Sequence, residues 1–139
     1  MARSTARAAA MQLVYEKLMG GSGEDTLNAL IAFTPEGDDQ AYIDRVYGGV
    51  CQHAEELDAL VARYSPTRAL DRIARVDLCI LRVALYEMRY DKETPESVVI
   101  NEAVELAKRF SEPSSTRFIN GVLGAISRGE EPAADPKAL

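Results

Sequence analysis

Residues 73 to 88 read IARVDLCILRVALYEM. Ile73, Val76, Ile80, Leu81, Ala84, Leu85 and Met88 recur at the helical period and cover a wide face. A helix apolar over that much of its circumference belongs near the centre of a domain, with other elements packed around it. What those elements are follows from the period of the remaining apolar residues.

That period is helical almost throughout. Ala6, Ala10, Leu13 and Val14 share one face of a segment at 4–18, which Gly20-Gly21 ends. Leu27, Leu30 and Ile31 mark a short segment at 24–33. Ile43, Val46, Tyr47, Val50, Ala54, Leu57, Val61 and Tyr64 run through 40–64, until Ser65 before Pro66 is pushed out of helical angles. A fourth segment covers about 68–90. Thr94 caps a fifth, with Pro95 at its first position and Val99, Ala103, Leu106 and Phe110 as its stripe. The last, RFINGVLGAIS, holds an Asn-Gly pair, which is a hairpin signal. Phe118, Ile119, Val122, Leu123 and Ile126 nevertheless fall on one helical face, and this predicts a helix over about 115–128. Gly121 and Gly124 are expected to admit another helix backbone closely, offsetting their propensity cost. The fold class is therefore all-α. One helical domain over 1–129 is expected, with halves at about 1–65 and 66–129 and a disordered tail at 130–139.

The net charge of −6 argues against general coating of nucleic acid. Its distribution says more. Residues 18–62 hold one base against nine acids, whereas 63–92 hold seven bases against four acids. Such segregation permits a local anionic ligand, with the acidic block facing away from it. Cys51 and Cys79 show no CxxC spacing and are expected to be buried free thiols of a cytoplasmic protein. A single histidine, His53, makes a zinc site improbable, and no apolar run suggests a signal peptide or membrane span.

The segments ILRVALYEM, INEAVELAKRF and RFINGVL, in that order and spacing, resemble the bacterial transcription antitermination factor family NusB. ARSTARAAAMQLVYE is similar to that family's arginine-bearing first helix. The resemblance implies two small packed helical bundles that bind boxA RNA together with NusE, the small-subunit ribosomal protein S-ten. The pair helps load an antitermination complex onto RNA polymerase in ribosomal RNA transcription. It implies no catalysis and no cofactor or metal.

The resemblance also assigns residues. Arg3 and Arg7 match arginines of the RNA-binding motif, four apart on one face, where guanidinium groups fork onto phosphates. Relatives carry a denser arginine run there, so this arm alone is expected to bind weakly. Tyr15 matches a tyrosine able to stack on an unpaired base. Arg117 and Phe118 open the last helix, where N-terminal amides favour phosphate. Phe118 also begins the apolar stripe, so core packing is its other reading. Ser114 stands where some relatives carry an acid. Tyr64 and Arg82 match the RNA and partner surface, Arg82 having Glu87 or Asp77 as alternative ion-pair partners. Asp77 and Arg82 are the candidates for NusE contact.

Glu102 and Glu105 lie three apart on a helix, with no nucleophile nearby, and read as a solvated face rather than an acid–base pair. Asn101 reads as bonding backbone at a helix junction. A similar helical domain precedes some ribosomal RNA cytosine methyltransferases, but the sequence has no GxGxxG and no catalytic cysteine motif. The remaining alternative is a helical module that associates with itself and binds little RNA.

Overall fold

The computed structural model describes residues 2–21, 39–65 and 68–129, and every regular element among them is helical. In chain order these are α1 (Ala2–Leu18), α2 (Asp39–Tyr64), a 3-10 turn (Leu70–Arg72), α3 (Arg75–Tyr86) continuing into a π-helical turn (Glu87–Asp91), α4 (Glu96–Phe110) and α5 (Pro113–Ser127). Asn120 and Gly121 lie inside α5, so the apolar period outweighs the hairpin dipeptide. The segment expected at 24–33 and the tail at 130–139 lie outside the described residues.

α3 is the central helix. It packs against α1, α2, α4 and α5, and from Asp77 to Met88 every residue except Arg82 is buried. α1 departs from the one-face expectation. Ala6, Ala8, Ala9, Ala10 and Met11 are all buried, so the helix is covered on every side along this stretch. Alanine suits that position, because it adds little girth where α2 and α3 both approach.

α2 presents Tyr42, Ile43, Val46, Val50, Leu57 and Val61 to the core and is kinked at His53, with φ −108° and ψ 16°. Gly49 is required there. A Cβ at this position would lie 2.1 Å from the Tyr86 ring, so the tyrosine of α3 rests directly on the α2 backbone. Gly49→Ala is expected to displace Tyr86 and to cost about 1–3 kcal/mol, read as a lower denaturant midpoint.

The expected helix at 68–90 holds only over its middle. Ile73 and Ala74 are extended before α3, with ψ 132° and 137°. After α3 the Lys92 N–H bonds the Glu87 carbonyl at 2.8 Å, closing the wide turn, and Lys92 takes φ 56°. Arg45 of α2 then holds Asp91 at 2.8 Å and Glu93 at 3.0 Å.

Several smaller expectations are corrected. Pro95 precedes α4 as its cap rather than opening it. Gly121 faces open space, with nothing within 4 Å of where a Cβ would lie, and the nearest neighbour of a Cβ at Gly124 is the Arg128 guanidinium at 3.0 Å. Neither glycine admits a second helix; α5 turns Ile119, Val122, Leu123 and Ile126 inward instead. Asn101 is exposed rather than tucked into a junction. Cys79 is buried, but Cys51 is exposed.

Candidate nucleic-acid interface

The arginines divide by what their guanidinium groups already hold. Arg7 is 2% exposed. It forks onto Glu87 through Nε at 2.7 Å and Nη2 at 2.9 Å, and its Nη1 reaches Glu102 at 3.1 Å. Ser4 Oγ donates to the same Glu102 oxygen at 2.6 Å. Burial works against the Arg7 charge, but the Glu87 fork outweighs it and drives the pKa up. Tyr42 lies beside this pair, and burial together with the Glu87 charge pushes its phenol up. Arg82 forks onto Asp58 of α2 at 2.8 and 2.7 Å, which raises its pKa against the opposing effect of burial.

Arg68, Arg72, Arg75 and Arg117 are different. None of the four is paired with a carboxylate among the described residues. Arg68 lies 4.4 Å over the Phe118 ring, and Arg75 Nη1 touches Met19 Sδ at 3.4 Å. Arg72, Arg75 and Arg117 are exposed. The extended backbone at Ile73 and Ala74 is what sets Arg72 and Arg75 on a surface instead of inside the central helix.

These side chains edge a two-part groove. One part, about 720 Å³, is lined by Tyr15, Arg68, Arg72, Arg75, Phe110 and Ser114 among others. The other, about 480 Å³, is lined by Arg68, Pro113, Ser114, Thr116, Arg117 and Phe118. Arg68 and Ser114 belong to both, so the parts are continuous. The acids in the lining are Glu112 and Asp77. Both oxygens of Asp77 are taken, by Ser111 Oγ and Ser115 Oγ at 2.6 Å each. No lining residue comes from α2, which carries the described part of the acidic block. Guanidinium groups beside half-buried rings can hold phosphates and stack unpaired bases.

A model described as the NusB family matches residues 4–128. The chain belongs to the NusB family. Transcription antitermination protein NusB of Symbiobacterium thermophilum is 39% identical, across 96% of this chain and 94% of its own. The solved NusB of T. maritima superposes with a TM-score of 0.81 at 30% identity, covering 94% of this chain and 93% of that one. A chain from a crystal structure of antitermination factors NusB and NusE in complex with double-stranded RNA superposes with a TM-score of 0.80. Its identity is 24%, over 92% of this chain and 97% of that one, a level that carries the fold. The NusB family is one of transcription antitermination proteins and not of enzymes.

Within this NusB fold the residues expected at the site are dispersed. Tyr15, Arg117 and Phe118 come together along the groove. Arg3 does not join them. It lies 4.3 Å from the Tyr42 ring, with Nε 3.5 Å from Asp39. Arg7 is corrected from a phosphate fork to a buried internal ion pair, because Glu87 lies where it can take both guanidinium edges. Asp77, expected to contact a partner, is 1% exposed and clasps the α4–α5 corner through its two serines. Arg82 is committed to Asp58 rather than to Glu87 or Asp77. Tyr64 is half-buried against the core. Glu102 is not simply a solvated residue, since Arg7 and Ser4 both bond it, whereas Glu105 pairs with Lys108 at 3.1 Å.

Arg68, Arg72, Arg75 and Phe110 escaped the sequence reading as site residues. The excess of bases in 63–92 is the signal for the three arginines, but it does not say which bases stay exposed. Among the described residues, no group of His, Cys, Asp and Glu could hold a metal ion. No helix among them is long and apolar enough to cross a membrane.

Proposed function

We propose that this chain binds boxA RNA together with NusE and promotes ribosomal RNA transcription as part of an antitermination complex on RNA polymerase, in the cytoplasm. The reading rests above all on the groove, where four arginines without carboxylate partners among the described residues flank Tyr15, Phe110 and Phe118. Unpaired bases stack on rings and their phosphates meet guanidinium groups, which selects single-stranded RNA over duplex. The chain's own charge of −6 gives little long-range attraction, so a basic partner beside the groove supplies phosphate contacts that this chain lacks. That partner is NusE in this reading. Its contact surface excludes the buried Asp77 carboxylate. The same reading keeps two packed helical halves, about 1–65 and 66–129.

The test is titration of boxA RNA against a scrambled RNA, with and without NusE, at two salt concentrations. Weak preference for boxA alone and markedly tighter binding with NusE are expected. Phe118→Ala should weaken boxA binding by roughly tenfold while leaving the salt slope unchanged, since stacking releases no counterions. Equal affinity for boxA and scrambled RNA in the presence of NusE would sink the reading. A salt-independent monomer–dimer equilibrium with no RNA affinity would favour the self-associating module.

A further inference from the structure

α4 and α5 enclose another groove, about 430 Å³, lined by Ser97, Ile100, Asn101, Val104, Lys108, Thr116, Arg117 and Asn120. It shares Thr116 and Arg117 with the Phe118 end of the groove described above. Two asparagines from sequence segments far apart, INEAVELAKRF and RFINGVL, thus line one cleft. Both are exposed, and neither side chain makes a hydrogen bond to another described residue. Asparagine is a poor helix former, and Gly121 is a worse one. The fold gives Gly121 no reason to be glycine, because the space above it is open. It lies one turn from Arg117 on the same face.

We infer that this cleft is a base-reading subsite for a further nucleotide of the same single-stranded RNA. Asn101 and Asn120 bond the base edge, Arg117 holds the adjoining phosphate, and Gly121 leaves room for the chain to pass. This rests on the RNA reading above. The chemistry fits in three respects. A carboxamide offers a donor beside an acceptor, which is the pattern that pairs with an adenine edge. Ile100 and Val104, both half-buried, give the base an apolar floor. Among the described residues the lining carries Arg117 and Lys108 and no carboxylate; Lys108 is held by Glu105 at 3.1 Å, which leaves Arg117 as the cation for a phosphate.

The experiment compares the wild type with Asn101→Ala/Asn120→Ala and with Gly121→Ala. Each is titrated, with NusE present, against boxA RNA and a set of its single-base replacements. The asparagine variant should bind boxA about tenfold more weakly and lose discrimination at one base position only, with an unchanged salt slope and a melting temperature no lower than that of the wild type, since alanine is the better helix former. Gly121→Ala should melt about 2–4 °C higher yet bind RNA more weakly, a pairing that a purely structural glycine would not show. Wild-type affinity and discrimination in the asparagine variant overturn the subsite. So does a loss spread evenly over every RNA, or a loss confined to NusE association. If the wild type itself shows no preference for boxA, the broader RNA reading fails instead, so the two failures are distinguishable.

Discussion

Arg7→Ala is expected to cost about 3–5 kcal/mol of stability, because it strands a carboxylate in the core. Glu87 is 1% exposed and takes both of its close charged contacts from Arg7. Without the guanidinium it must either bury an unpaired charge or take up a proton. For a chain of this length the loss corresponds to a melting temperature lower by roughly 10–15 °C. Arg7→Met combined with Glu87→Leu removes both charges at similar volume and should recover most of that loss. Thermal melts of the three proteins decide the matter. A single variant that melts like the wild type would show that Arg7 is not committed to the interior. RNA titration of Arg7→Ala alone is uninformative in consequence, since weakened binding would follow from weakened folding.

The second large effect belongs to the groove. Arg72→Ala/Arg75→Ala/Arg117→Ala removes three exposed guanidinium groups that no carboxylate among the described residues holds. Helical content and melting temperature should stay near those of the wild type, because surface positions away from packed features shift stability by about 0.5 kcal/mol or less. Affinity for boxA RNA should fall by roughly two orders of magnitude, and the salt slope should shallow by about two units for single-stranded RNA. Arg82→Ala is the contrasting control. Its guanidinium is spent on Asp58, so the salt slope should be unchanged while stability drops. Titrations at 50 and 200 mM salt beside melting curves separate the pair. An unaltered slope in the triple variant would remove these arginines from the RNA path.

Much of the architecture was legible because it is local. The helical period around Asn120-Gly121 outvoted a two-residue turn signal, and the wide apolar face at 73–88 marked the helix that four others surround. Of the residues expected at the site, Tyr15, Arg117 and Phe118 are those that line the candidate groove. Arg7 and an exposed helical arginine look alike in sequence, since the carboxylate that buries Arg7 stands 80 residues away. Arg82 has its partner 24 residues away, and Asp77 has its hydroxyls 34 and 38 residues away. The groove arginines Arg72 and Arg75 were hidden for another reason. Residues 68–90 carry a helical period throughout, but the backbone leaves the helix before Arg75, and that departure decides which side chains reach the surface.

The unequal placement of the two thiols makes the chain self-equipped for spectroscopy. Cys79 is buried and its thiol is pushed up to about 12, chiefly by burial, so it stays protonated and shielded from electrophiles. Cys51 is exposed on α2, which contributes nothing to the groove lining. A maleimide dye should therefore attach at a single address without any engineered cysteine. The chain contains no tryptophan, so the dye would report against a dark background in the indole region. Its anisotropy would follow assembly into larger particles while leaving the arginine-lined surface unencumbered.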